Sequence, residues 1–461
     1  MLEIYDFDFE QAVEEVSKLL DNKEYHKLKA YLNDLNPADI ASLLAEIPEE
    51  KLPVVFRLLG KDLASETFVE MDPDGQETLI KSFSDKELKE IIANLFVDDT
   101  VDIIEEMPAN VVRRILANTN PQTRKEINEI LKYPEDSAGA IMTTEYIWLR
   151  KDSTVQEAFQ SIRKFAVDKE TIYTCYVIDR ERHLEGVVSV KELLLSDYSA
   201  RIADIMETNV ISFGTLDDQE LVAQAFDRYN YLAMPVVDTE NRLVGIITID
   251  DAMDVLREEQ SEDIAKMNAI VPSDKPYLKR NVFEIWKERI PWLLLLLVSA
   301  TFTGLIINTY ETKLSALSPL LFACVPMLMD TGGNAGSQAS VTIIRGLALN
   351  ELDFSDIFRI VWKEFRASIL LALTLSVVCW AKLILIDNLI FGYDYTYLLS
   401  AVVSVALFLT VLVAKFVGCM LPLIAKKLKL DPAVVASPFI TTIVDAVSLI
   451  IYCKFAIAIL A

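Results

Sequence analysis

The stretch AVVASPFITTIVDAVSLIIYC, residues 433–453, holds one charged side chain, Asp445, in an otherwise apolar run. At 1.5 Å per residue such a run is long enough, as a helix, to cross about 30 Å of hydrocarbon. A carboxylate at bilayer depth costs about 2.5–3.5 kcal/mol, so it is kept where it faces a bundle interior or a water-filled path. The leading reading of Asp445 is a cation site inside a membrane. The alternative is a neutral aspartic acid hydrogen-bonded to a neighbouring helix.

Working outward from this run, PWLLLLLVSATFTGLIINTY (Pro291 to Tyr310) has no charge and forms a first span. A second runs from about Leu314 to Arg345, interrupted by Asp330, and two more lie near Ala367–Ile386 and Thr396–Leu421. With the Asp445 run this makes five. Lys279, Arg280, Lys287 and Arg289 precede span one; Arg345, Arg359, Lys363 and Arg366 separate spans two and three; Lys426, Lys427 and Lys429 separate four and five. The alternate loops hold Lys313 and the base-free DNLIFGYD, so the positive-inside rule puts the N-terminus in the cytoplasm and the C-terminus outside. Met1 to Leu20 has acids throughout and no apolar core, so no signal peptide is expected.

Span two carries TGGNAGSQAS (Thr331 to Ser340), small residues that let membrane helices approach closely. The same glycines can unwind a helix and offer carbonyls to a cavity, which is tolerated where the backbone is buried or wet. Asp330 and Asn334 favour the pore-lining reading. The run lacks the GK[ST] of a phosphate loop, and Asp330-Thr331-Gly332 matches an aspartic-protease signature only as a tripeptide. An intramembrane hydrolase would need Asp330 and Asp445 within hydrogen-bond reach.

Charge divides the chain. Residues 276–461 hold 12 Asp and Glu against 15 Lys and Arg, leaving 57 acids and 29 bases in residues 1–275. A soluble part with that excess repels nucleic acid and anionic lipid and attracts cations. Of five cysteines, four (Cys324, Cys379, Cys419, Cys453) lie in the apolar half without a CxxC pair, so neither a disulfide framework nor a zinc site is expected.

Residues 1 to about 132 show Leu, Glu, Lys and Ile at helical spacing, punctuated by AEIPEE (Ala45–Glu50), VEMDPD (Val69–Asp74) and EEMPAN (Glu105–Asn110). Short stacked helices in a superhelix, or a plain bundle, fit this pattern. Further on, a duplication appears. Ile141-Met142 and then Tyr176–Leu194 (YVIDRERHLEGVVSVKELL) parallel Ile205-Met206 and Pro235–Met253 (PVVDTENRLVGIITIDDAM), with Asp179/Asp238 and Gly186/Gly245 at one common offset. The pair resembles tandem CBS domains, a sensing module whose cleft takes ATP or another adenine nucleotide in some members, or which serves as a dimerisation platform.

After the repeat comes an acidic ladder: Asp250, Asp251, Asp254, Glu258, Glu259, Glu262 and Asp263. On a helix Asp251, Asp254, Glu258 and Glu262 share a face and repel, which divalent cations relieve. A solvated acidic face is the plainer reading. Asp98, Asp99 and Asp102 form a similar cluster upstream, and the two can meet across a shared ion.

In this order the parts resemble the MgtE family of magnesium channels and transporters, most specifically through PMLMDTGGNAGSQASVTIIRGLA (Pro326–Ala348) and SPFITTIVDAVSLIIY (Ser437–Tyr452). The resemblance implies a multidomain chain: an all-α superhelical N domain (1–135), an α/β tandem CBS pair (136–199 and 200–258), a connecting plug helix (259–280, the plug about Ser261–Pro276) and an α-helical transmembrane bundle of five spans (281–461; about 288–310, 314–345, 362–387, 396–424 and 433–460). It implies a homodimer in membrane lipid, cell membrane localisation, and a pore where Asp445, Asn334, Thr441 and Thr442 meet hydrated Mg2+. Regulatory Mg2+ would sit at Asp98, Asp99, Glu220, Asp251, Asp254, Glu259, Glu262 and Asp263. Ser437 and Asn230 depart from residues found in some members, an amide and an acid respectively. A CBS-regulated carrier of another cation shares the architecture.

Overall fold

The computed structural model describes residues 8–273, 275, 277–349, 351–435 and 437–460. It divides into two compact units, Met1–Leu256 and Arg257–Ala461.

The first unit opens with ten helices among the described residues: α1 (Phe9–Asp21), α2 (Tyr25–Asn33), α3 (Pro37–Ala45), α4 (Leu52–Phe56), α5 (Lys61–Val69), α6 (Pro73–Ser82), α7 (Asp85–Ile92), α8 (Val97–Glu106), α9 (Ala109–Asn118) and α10 (Pro121–Ile130). Local chemistry starts several of them. Proline stands in the first turn of α3, α6 and α10, where the missing N–H costs nothing, and Ser84 caps α7 in a box with Glu87. α1 packs on α3, α3 on α5, α5 on α7 and α7 on α9. That every-second-helix stacking is a superhelix rather than a plain bundle.

Each repeat that follows is a three-stranded sheet. β1 (Trp148–Leu149) runs parallel to β2 (Thr174–Ile178), which pairs antiparallel with β3 (Leu184–Ser189); β4 (Phe213–Gly214), β5 (Ala233–Val237) and β6 (Leu243–Thr248) repeat the pattern. Helices α11 (Val155–Phe165), α12 (Val190–Leu195), α13 (Ile202–Ile205) and α14 (Gln219–Tyr229) complete the pair. The two glycines of the duplication have a shared cause. A Cβ on Gly245 would lie 2.8 Å from the Thr143 carbonyl, and one on Gly186 would lie 2.7 Å from that of Glu207. Each repeat's first segment therefore crosses the other repeat's last strand at a point where only glycine fits. One core joins the helical array to the second repeat, from Leu28 and Leu88 through Met142 to Phe226 and Ile247.

Helix α15 (Ile249–Met267) crosses from the first unit into the second. It ends nine residues short of the expected Pro276, which lies outside the described residues. The stop is local: Ala269 adopts φ 54° and Ile270 N–H returns to the Ala265 carbonyl, a left-handed helix end ahead of Pro272.

The second unit contains α16 (Val282–Leu317), α17 (Pro319–Ala323), α18 (Val325–Ala348), α19 (Ile357–Ala381, continued by a π-helical turn Lys382–Asn388), α20 (Tyr397–Lys427) and α21 (Ser437–Leu460). Among the described residues four helices are long and apolar enough to cross a membrane: Val282–Leu317, Phe354–Asn388, Tyr397–Lys427 and Pro438–Leu460. α18 is 24 residues long but polar at Asp330, Asn334, Ser337 and Gln338. The expected second span from Leu314 is corrected here. α16 runs on to Leu317, Ser318 caps the short α17, and α18 starts only at Val325. The break falls at Ser318-Pro319, where proline cannot continue the helix before it.

The glycines of α18 do not unwind it. The helix is continuous from Val325 to Ala348, and a Cβ on Gly332 would meet Thr410 and Ser448, one on Gly336 the Ala414 carbonyl, and one on Gly418 the Gly336 carbonyl at 2.1 Å. Close packing, not local unwinding, is what these glycines provide.

Candidate metal centres

The first candidate centre lies within the first unit. α8 brings Asp98 and Asp99 to the CBS pair, the loop before β1 brings Glu145, the segment before β2 brings Glu170, and the first turn of α15 brings Asp250 and Asp251. One carboxylate oxygen from each of Asp98, Glu145 and Glu170 lies within 4.8 Å of the other two. Asp98 is 6 % exposed, and its Oδ1 has no hydrogen-bond partner among the described residues; nor has the buried Oε2 of Glu170. Glu145 Oε2 accepts from the Val97 N–H at 3.4 Å, and Asp251 Oδ2 accepts from the Thr248 hydroxyl at 2.6 Å.

Such crowding has an electrostatic signature. Burial first, then the neighbouring Asp251, Asp99, Glu170 and Glu145 charges, hold the Asp98 carboxyl well above the usual carboxylate range. Burial and the surrounding acids push Glu170 to about 8, and burial is the largest cause for Glu145 and Asp251 at about 7 and for Asp99 at about 6. Buried carboxylates kept together need protons or a cation. Hard oxygen donors of this kind suit magnesium, calcium or manganese.

Of the expected regulatory residues, the structure gathers Asp98, Asp99 and Asp251. Asp254 is exposed one turn beyond Asp251. Glu220 sits in the first turn of α14, where its carboxylate accepts from Gln224 at 2.9 Å. Glu259, Glu262 and Asp263 belong to the second unit, where Glu262 is paired with Lys266 at 2.6 Å. Sequence reading missed Glu145 and Glu170. Glu145 is a lone acid and Glu170 has only Asp168 close by in sequence, and only the fold brings them beside α8.

The second candidate centre is in the apolar unit. Asp445 Oδ1 would lie 3.4 Å from a Cβ on Gly333, and Thr441 Cγ2 3.2 Å from it, so α21 rests directly on the glycine face of α18. The Thr441 and Thr442 hydroxyls donate to the Pro438 carbonyl at 2.8 and 3.1 Å. Asn334 and Asp330 are exposed on this chain and Asp445 is half-buried. No hydrogen bond joins Asp330 to Asp445 among the described residues, so the hydrolase reading gains no support. The side chain of Ser437 lies outside what the structure describes. Two further ionic features escaped the sequence reading: Lys382 pairs with buried Asp387 at 2.7 Å across the π-helical turn, and Lys415 is buried within α20. All five cysteines are free and buried.

Comparison with known proteins covers both units of the chain. Residues 325–455 match the family described as divalent cation transporter, residues 35–136 the MgtE intracellular N domain, and residues 138–197 and 202–258 the CBS domain. The magnesium transporter MgtE of Thermus thermophilus is 36% identical over 451 residues, covering 97% of this chain and 98% of that protein. This chain belongs to the MgtE family. The magnesium transporter MgtE of Bacillus subtilis is 32% identical, covering 99% of each chain. Among solved structures, the cytosolic domain of the Mg2+ channel MgtE in complex with ATP aligns with a TM-score of 0.50 at 36% identity, covering 53% of this chain and 99% of that one. The MgtE-family chain is accordingly a multidomain, multi-pass membrane protein with a helical N domain and a CBS pair.

Proposed function

We propose that this chain conducts Mg2+ across the cell membrane as a homodimer and closes when cytosolic Mg2+ rises. The observation that carries the conduction reading is Asp445: a half-buried carboxylate in a membrane helix, set against Gly333 of a polar-faced helix and beside exposed Asn334. A site open on one side in a single chain fits a pore completed by a second copy. Two such carboxylates would hold a largely hydrated ion through its water shell, as magnesium prefers.

Regulation rests on the Asp98–Glu145–Glu170 group. When Mg2+ is scarce, carboxylates on α8 and on the CBS pair repel one another; when it is abundant, ions bridge them and the packed form wins. Moving an equilibrium from mostly open to mostly closed takes about 5.5 kcal/mol of differential binding, more than one loosely held ion supplies. The remaining ladder acids, Asp254, Glu259, Glu262 and Asp263, are the further ligands in this reading, with Glu220. The similarity to an ATP-bound cytosolic domain supports an adenine nucleotide in the CBS cleft as a second input.

Uptake into liposomes, with Mg2+ varied independently on each side, tests this. Flux that falls as inner-face Mg2+ rises is expected. A carrier of another cation is the second reading, and flux that persists for that cation while ignoring Mg2+ competition would establish it instead.

A further inference from the structure

One face of α21 carries a polar stripe, Thr441, Asp445, Ser448 and Tyr452, at steps of four, three and four residues. Three of its members meet the glycines of α18. Thr441 Cγ2 and Asp445 Oδ1 stand beside the Cβ position of Gly333, and Ser448 Oγ lies 2.9 Å from that of Gly332. The fourth reaches further. The buried Tyr452 hydroxyl donates to the Leu321 carbonyl at 2.6 Å, on the short α17 that begins at the Ser318-Pro319 break. A second phenol supports the same piece of chain, since the Tyr395 hydroxyl donates to the Leu320 carbonyl at 3.5 Å.

From Phe439 to Leu460 the Tyr452–Leu321 bond is, among the described residues, the one side-chain hydrogen bond between α21 and another helix. Most of the other buried contacts of α21 are apolar, from Ile440, Val444, Leu449, Cys453 and Ala456, and packing of that kind lacks the fixed donor and acceptor of a hydrogen bond. In hydrocarbon no water replaces such a bond. Tyr452 stands two turns, about 10 Å, from Asp445 along one continuous helix. We propose that Tyr452 is a positioning residue of the pore: its hydroxyl, held on Leu321, fixes the height of α21 against α18 and with it the height of the Asp445 carboxylate in the cation path. This inference rests on the reading of Asp445 as the pore carboxylate.

Tyr452→Phe removes the hydroxyl and keeps the ring, so the core around it stays filled. In liposomes carrying the full chain, this variant is expected to raise the outer Mg2+ concentration for half-maximal uptake several-fold and to admit Ca2+ more readily, with maximal uptake and closure by inner Mg2+ little changed. Loss of folded protein alone would lower maximal uptake and leave half-saturation where it was. Tyr395→Phe is the control, because that hydroxyl also bonds α17 but belongs to the segment before α20, and its half-saturation should match the unmodified chain. Unchanged half-saturation in Tyr452→Phe, or an equal rise in Tyr395→Phe, would overturn the proposal. A second measurement needs no transported ion. Thr410 Cγ2, on α20, and Ser448 Oγ both lie within 2.9 Å of the Gly332 Cβ position, so Thr410→Cys/Ser448→Cys should form a disulfide with a membrane-permeable oxidant, identified by mass spectrometry of the joined peptides. Adding Tyr452→Phe should slow that bridge several-fold. A bridge absent from both proteins, or as fast with the added substitution as without it, overturns the register role. If the unmodified chain takes up no Mg2+, the channel reading fails by itself, and the bridge still decides what Tyr452 does.

Discussion

Asp445 Oδ1 rests over Gly333 so closely that a methyl group there would stand 3.4 Å from it and 3.2 Å from Thr441 Cγ2. A methyl there would touch the carboxylate at ordinary contact distance and press on Thr441, which would have to give by a few tenths of an ångström. Asp445→Ala is expected to abolish divalent flux with the fold intact, and Asp445→Asn to impair it nearly as much, because an amide cannot supply the charge that holds a hydrated ion. Gly333→Ala, which keeps the carboxylate but presses on Thr441 beside it, should lower flux without abolishing it. Isotope or dye uptake in liposomes reads all three, and normal uptake by Asp445→Ala would remove Asp445 from the pore.

Gly418 sets the approach of α20 to α18. A Cβ added there would stand 2.1 Å from the Gly336 carbonyl, a backbone atom that cannot swing away. Overpacking of this kind costs about 1–3 kcal/mol or more. Gly304→Ala is the control, since nothing lies within 4 Å of a Cβ at that position. Thermal melting in detergent should show a clear loss for Gly418→Ala and none for Gly304→Ala; equal melting temperatures would mean the helices separate at no cost.

Orientation is tested by labelling. Asn388 is a poor position for a reporter cysteine, because its side chain bonds Tyr395 twice, at 2.8 Å each way. Ile390, 69% exposed in the same loop, is better. Ile390→Cys should react with an impermeant thiol reagent on intact cells and Lys427→Cys should not, as the distribution of bases requires. The reverse pattern would overturn the topology.

Much of the architecture was legible because it follows from repeated local signals. Long uncharged runs announce membrane helices, and the common offset of Asp179/Asp238 and Gly186/Gly245 announces the duplication; the two sheets reproduce it strand for strand, down to a register shift at Val177/Ile178 and at Val236/Val237. The Ser318-Pro319 break was hidden because the residues on either side are equally apolar. Composition alone also could not separate a glycine run that unwinds from one that packs, since Gly332, Gly333 and Gly336 acquire their meaning from Thr410, Thr441 and Ala414 on other helices. The acid centre was half-visible. Asp98 and Asp99 advertise themselves as neighbours, whereas Glu145 and Glu170 become neighbours only when the loop before β1 meets the segment before β2, and the Tyr452–Leu321 hydrogen bond likewise joins residues far apart in the chain.

The raised carboxylates give the acid centre a pH dependence with a definite sign. Glu145 stands at about 7 and Glu170 at about 8 against an ordinary 4.5, and Asp251 at about 7 against 3.8. The packed arrangement of α8 against the CBS pair therefore binds more protons than the separated one. Its stability is greatest below the ordinary carboxylate values, falls as pH rises, and has lost the contribution of these groups above about pH 8. Mg2+ replaces the protons, so its apparent affinity should rise over the same interval. For the soluble fragment, residues 1–275, scattering and proteolysis at about pH 6 should show a compact form with little need of Mg2+, and at about pH 8.5 a form that tightens only when Mg2+ is added. Asp98→Asn/Glu145→Gln/Glu170→Gln should be compact at both values and indifferent to the ion. A fragment whose dimensions ignore pH and Mg2+ alike, or a triple variant that responds as the unmodified fragment does, would show that the group is a solvated acidic face and carries no regulation.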